Sequence, residues 1–321
     1  MRKLLVLTAV TSALVLPASV AATSGGRPVA LVTAETSNEV LAVSLGPHGG
    51  RVLRRVHLVD PLMIAAAPYG PAVVVNPSGI VTLLAWHTLR PIKVFHSFRA
   101  PKVAAVAPSR LFAYVTDERT GDLSVIDLAH RRIVGRVFVG LRAHHLGIGS
   151  DGRRIWVALG ETARTIVRLD SSNPRKPRVL GRFRPRFGAH DISFAPDGRT
   201  VWVTSPSRSA VSGYSVGGTL LWTAGAGRPP GHVAFSGGSA LVPSGYGSLL
   251  SAFTWRSPSR APDNAFAPYG SFNLATYGGF VVTTSLFTGQ VTEYRVSNLH
   301  RLWTAKVAPA ARYVAISLWP R

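Results

Sequence analysis

Seven times along the chain, at spacings of 39 to 46 residues, a short β-rich segment centred on a valine returns: Val32, Val75, Val115, Val157, Val203, Val242 and Val282. A unit of this length, built from several short strands, cannot bury its apolar face alone and has to stack on copies of itself. Four-stranded blades arranged around an axis fit that period best. The repeat therefore predicts an all-β, seven-bladed β-propeller. It says little about activity, because propellers carry hydrolases, redox enzymes and inert docking platforms alike.

Two units show the internal pattern most clearly. One runs from His145 through Asp151-Gly152 and Ile155-Trp156-Val157 to Thr165–Asp170; the next runs from His190 through Asp197-Gly198 and Val201-Trp202-Val203 to Ala210–Val216. In each, a short strand meets an Asp-Gly tight turn and folds back into a strand carrying Trp-Val. A polar loop and a third strand follow. The fourth strand is more polar, as in Arg132–Val139. These strands are termed A to D, from the axis outward.

The phase of the repeat predicts how the ring closes. The chain after its first segment opens on a B strand, Val29 to Thr33, and finishes on an A strand, Tyr313 to Leu318. The last strand is thus expected to complete the blade begun by the first, which removes the exposed edges an open sheet would leave. Residues 23–321 read as a single seven-bladed propeller domain with no appended module. Residues 1–22 read as a signal peptide: Arg2 and Lys3, an apolar stretch from Leu4 to Leu16, a breaking Pro17 and small residues at Ser19-Val20-Ala21-Ala22. The expected location is outside the cytoplasm, either secreted, periplasmic or held at the cell envelope. No transmembrane segment is expected in the mature chain, and a monomer is expected.

Ala113-Tyr-Val-Thr116 with Leu123-Ser-Val-Ile-Asp127, and Phe194-Ala-Pro-Asp-Gly198 with Val201-Trp-Val-Thr204, are similar to the repeats of the YVTN family of seven-bladed propellers, the lactonase-like and surface-layer-like group. The resemblance is sharp from Leu111 to Ser205 and fades in the flanking units. It implies the fold strongly. For function it implies lactone hydrolysis through acidic and amide calcium ligands at the tunnel, of which this chain offers Asp191 and Asn273 but not a full set.

The absence of cysteine excludes disulfides, thiolate nucleophiles, Cys-ligated zinc and thioether-attached haem. Charge is lopsided: 36 Lys plus Arg stand against 14 Asp plus Glu. Blade geometry sorts these charges between two faces, since the D–A and B–C loops emerge on one side and the A–B and C–D loops on the other. The first face is expected to collect Glu35, Glu39, Asp117, Glu118, Asp122 and Glu161. The second is expected to be cationic, with Arg131, Arg132, Arg153, Arg154, Arg175, Lys176 and Arg178 as its candidate anion-binding residues, joined by others such as Lys93, Arg199 and Arg321. Such a surface attracts polyanions. A GC-rich genome would enrich arginine in the same way.

The starts of the A strands crowd round the tunnel mouth on the first face. His144, His145, His190, Asp191 and His232 fall there, with Met63, Lys102, Ser271, Arg312 and Tyr313 at equivalent positions in other blades. Imidazole from three consecutive blades suits zinc, copper, iron or nickel, and Glu35, Asp117, Glu161 or Asp191 could complete a shell or act as a base. The alternative is a polar lining of a water-filled tunnel. No His-Glu-x-x-His is present. Ser236-Gly-Gly238 and Ser244-Gly-Tyr-Gly247 sit where turns are expected, and Trp86, Trp156, Trp202 and Trp255 where packing between blades is expected. The functional expectation is an exported binding or scaffold protein of the envelope, docking on an anionic polymer or a partner protein, able to bind nucleic acid non-specifically and needing no cofactor. The alternative is a lactonase-like hydrolase, or a propeller associated with a divalent metal or redox chemistry at the histidine-lined tunnel mouth.

Overall fold

The computed structural model describes residues 26–258 and 260–320; the expected signal peptide at 1–22 and Arg321 lie outside the described residues. Seven four-stranded antiparallel sheets follow one another around a central axis. The chain closes as its phase requires. The first described strand, Gly26–Ala34, pairs on its inner side with the last, Val314–Pro320, in register from Gly26 opposite Pro320 to Val32 opposite Val314. That blade (blade 1) takes its A strand from the end of the chain and its B, C and D strands from the beginning; blades 2 to 7 follow in sequence. Among the described residues the only helical turns are Glu35–Ser37 and Pro206–Arg208, and no helix is long and apolar enough to cross a membrane.

The Asp-Gly turns form for a local reason. Gly198 takes a left-handed φ of 64°, and the Asp197 carboxylate accepts from the amides of Arg199 and Thr200 at 2.9 and 3.0 Å. Asp151 does the same for the Arg153 amide at 2.9 Å. The B strands between these turns are almost wholly buried, as in Thr200–Ser205 and Phe112–Asp117. D strands alternate instead, exposing every second residue in Arg178–Phe183 and Leu220–Gly225. Their outer edges face solvent, and their inward residues cover the sheet.

Apolar side chains gather into seven clusters, one at each junction between neighbouring blades. Trp156 is wedged between blades 4 and 5 and Trp202 between blades 5 and 6, both fully buried and ringed by other aromatics in edge-on contact. The tryptophans are packing residues, as the repeat predicts; none of the exposed large hydrophobic residues is a tryptophan.

Candidate metal centre at the top of the tunnel

The A strands run from the tunnel mouth downward, so the first residues of each sit highest. In blade 4 that strand is Ala143–Ile148, and its ladder slips between Ala143 and Leu146, placing His144 and His145 opposite a single residue of the next strand. Such a bulge re-aims side chains. Here it lets two consecutive histidines share one region, their rings stacked 4.6 Å apart with only 10° between planes. Gly147, just below, carries no side chain because a Cβ there would overlap the Ile192 carbonyl of blade 5. The close approach of these two strands sets the distance between His145 and the blade 5 residues.

Blade 5 contributes His190 and Asp191 just ahead of its A strand, Ile192–Phe194, and blade 6 contributes His232 ahead of Ala234–Ser236. The His145 ring lies 4.2 Å from that of His190 and 5.3 Å from that of His232. His232 Nδ1–H donates to Asp191 Oδ1 at 3.0 Å. The other carboxylate oxygen, Oδ2, accepts from the Val233 amide at 2.8 Å and from the Ser193 hydroxyl at 3.1 Å. On its far side, His232 Nε2 faces the Tyr313 hydroxyl at 3.4 Å. His190 Nδ1–H donates to the Glu161 carbonyl at 3.1 Å, which leaves its Nε2 lone pair free.

One potential ligand atom from each of His145, Asp191 and His232 lies within 4.8 Å of the others. His145 is buried, and its Nδ1 has no hydrogen-bond partner. A buried polar atom left unpaired is costly, so this nitrogen is the observation that most asks for a ligand. Burial, reinforced by neighbouring imidazoles, holds His145 well below the ordinary histidine range and lowers His190 too. Burial also takes His144 down to about 4, against the pull of Glu118. These three rings are therefore neutral at pH 7, the form that binds metal. Burial pushes Asp191 upward, but the adjacent His232 and the hydrogen bonds to its carboxylate outweigh this and keep it ionised. Burial raises Tyr313, so its hydroxyl stays protonated.

Of the five tunnel-mouth residues expected from sequence, His145, Asp191 and His232 converge. His190 packs against His145 but is tied to Glu161, and His144 turns toward Glu118, 3.6 Å away. Other expected participants are occupied elsewhere. Glu35 is taken by Arg312, and Asp117 caps the amides of Arg99, Ala100, Arg119 and Thr120. Lys102 pairs with Glu118 at 3.2 Å, and the Ser271 hydroxyl donates to the Pro268 carbonyl. Ser193 escaped the sequence reading, although its place two residues after Asp191 puts it on the same strand face.

The cationic face is also partly engaged. Arg131, Arg153 and Lys176 lie on A–B or C–D loops, and Arg132, Arg154 and Arg178 open the strands that follow. All seven candidates there are exposed. Arg175, however, clamps the buried Asp127 at 2.9 Å and lies over the Phe112 ring, and Arg178 reaches Asp170 at 3.5 Å. Both are less available to an outside anion than composition suggested. Lys93 sits within the D strand Pro91–Phe95, rather than on a loop.

No family model matches the chain, and no curated protein does. Among solved structures, a functionally unknown protein from Desulfotomaculum acetoxidans DSM 771 superposes with a TM-score of 0.76 at 14% identity, over 91% of this chain and 99% of that one. The hydrazine synthase of Kuenenia stuttgartiensis superposes with a TM-score of 0.62 at 16% identity, over 74% of this chain and 77% of that one. At such identities the likeness establishes the fold and nothing about chemistry: the protein is a seven-bladed β-propeller.

Proposed function

We propose that this is an exported propeller that binds a divalent transition metal at the top of its tunnel, through His145, His232 and Asp191. Export rests on the basic and apolar pattern of residues 2–17. The reading is carried by the partnerless buried nitrogen of His145 beside an ionised carboxylate and a second imidazole. Two imidazoles and one carboxylate suit zinc, iron, copper or nickel; calcium prefers six or more oxygens. That donor set is the point at which the chain departs from the lactonase-like pattern its repeats resemble. Val233 and Ser193 fix the carboxylate and Tyr313 faces His232, the kind of outer support that orients metal ligands. Three protein ligands leave room for a further one, as in metal sites that polarise a bound water.

Cobalt(II) titration followed by visible absorption tests this. One ion per chain should bind with a ligand-field spectrum of nitrogen and oxygen donors, and His145→Ala or His232→Ala should weaken binding by more than about 100-fold, beyond what loss of an outer partner costs. The absence of saturable binding, or binding indifferent to both substitutions, would refute the assignment.

A second reading uses the opposite face. Arg131, Arg132, Arg153, Arg154 and Lys176 are exposed and make no ion pair with an acid among the described residues. This supports docking on an anionic envelope polymer, compatible with a metal at the other end of the tunnel. Heparin serves as the probe. Reversing these five charges to glutamate should lower affinity and flatten its dependence on salt concentration, since fewer counterions are released. Unchanged affinity and slope would leave the surplus arginine as a compositional trait.

A further inference from the structure

A cavity of about 140 Å³ adjoins the histidine cluster and shares Asp191 and His232 with it. Its wall is divided. Blades 2, 3 and 4 supply only apolar residues, Met63, Ile64, Val103, Ala104 and Leu146, whereas the polar groups Asp191, His232, Asn273 and Tyr313 come from blades 5, 6, 7 and 1, the last two of which also add Leu274 and Val314. Within the polar half, Asp191 is satisfied by His232, Val233 and Ser193, and His232 stands between Asp191 and Tyr313. Asn273 is the exception. It is only 7% exposed, and its Oδ1 has no hydrogen-bond partner. Blade 7 aims it by the same device that aims the histidines of blade 4: the ladder slips between Ser271 and Asn273.

A wholly apolar cavity of this size stays dry and takes up a molecule such as benzene. Adding one unsatisfied acceptor to an apolar wall changes what fits. We propose that the cavity binds a single small amphiphile of about phenol size. Its apolar body would lie against Met63, Val103 and Leu146, and its one hydroxyl or amine would donate to Asn273 Oδ1. The proposal rests on the tunnel top being the working site, but not on which ion, if any, is held there. It gives that site a substrate class: compact, uncharged, with one hydrogen-bond donor. A second, larger cavity of about 340 Å³ shares Asp191, His232, Leu146 and Leu274 with it.

Calorimetric titration of phenol and of benzene into chelator-treated protein, and again into protein loaded with zinc, provides the test. Phenol should bind saturably and about fivefold more tightly than benzene, the worth of one net hydrogen bond. Asn273→Leu should abolish that preference while leaving benzene binding in place, and circular dichroism confirms that the variant is folded. Ala104→Leu, which fills the apolar side, should weaken both. If neither compound binds, the cavity holds only water and the proposal fails. It fails equally if Asn273→Leu leaves the phenol preference intact. Phenol binding without any zinc binding would sink the metal reading alone; zinc binding without phenol binding would sink this proposal alone.

Discussion

Lowering the pH from 7 to 4 should strip several kcal/mol from the stability of the fold. Unfolded, each histidine takes up a proton near pH 6.5; folded, His144, His145 and His190 resist it because burial disfavours the charged ring. The unfolded chain therefore binds more protons below pH 6.5, and stability falls as the pH falls. Each imidazole held neutral contributes a slope of about 1.4 kcal/mol per pH unit until its own folded pKa is reached. For His144, lowered to about 4, the whole interval amounts to about 3 kcal/mol. Asp191 acts later, because a depressed carboxylate gives up its contribution only below its ordinary range near 4. Urea unfolding at a series of pH values reads the slope directly. His144→Gln should reduce it by about one proton below pH 6.5, and an identical slope in the variant would mean that His144 is not held neutral by the fold.

The second large effect belongs to the packing. Trp202→Ala should cost about 3–5 kcal/mol, as expected for deletion of a large buried aromatic. Trp202 is fully buried, its ring 4.6 Å from Trp222 and 5.8 Å from both Phe235 and Phe253. The site has little room to collapse, because the surrounding strands are pinned by two sheets. Its indole N–H is buried without a partner, so Trp202→Phe removes an unsatisfied donor along with part of the ring. It should cost clearly less than the alanine change. Thermal unfolding of both variants distinguishes the two terms. Equal losses would show that neither the volume the phenyl ring retains nor relief of the stranded donor offsets the change at this position.

What the sequence revealed follows from which forces are local. The Asp-Gly turns, the Trp-Val B strands and the strand phase that closes the ring are decided within a few residues, and each appears where the repeat placed it. The tunnel mouth was visible as a level, since His145, His190 and His232 each fall at the start of an A strand. Which of them converge was not visible. The bulges at His144-His145 and before Asn273 turn side chains by one position, and no residue pattern announces them. Ion pairs between residues far apart in the chain were equally hidden. Glu35 and Arg312 lie at opposite ends of the sequence yet meet within blade 1, and Arg175 reaches Asp127 from the neighbouring blade, which ties its guanidinium to a buried acid.

The pairing of Gly26–Ala34 with Val314–Pro320 also sets a timetable. The first blade lacks its innermost strand until Val314–Pro320 is in place, so the ring cannot close before that strand docks. Because Tyr313 immediately precedes the closing strand and lines the central cavity, that cavity is completed at the same step. Any ligand present at that moment would favour the closed ring by mass action, and its arrival would be recorded as faster or more complete maturation of the folded protein.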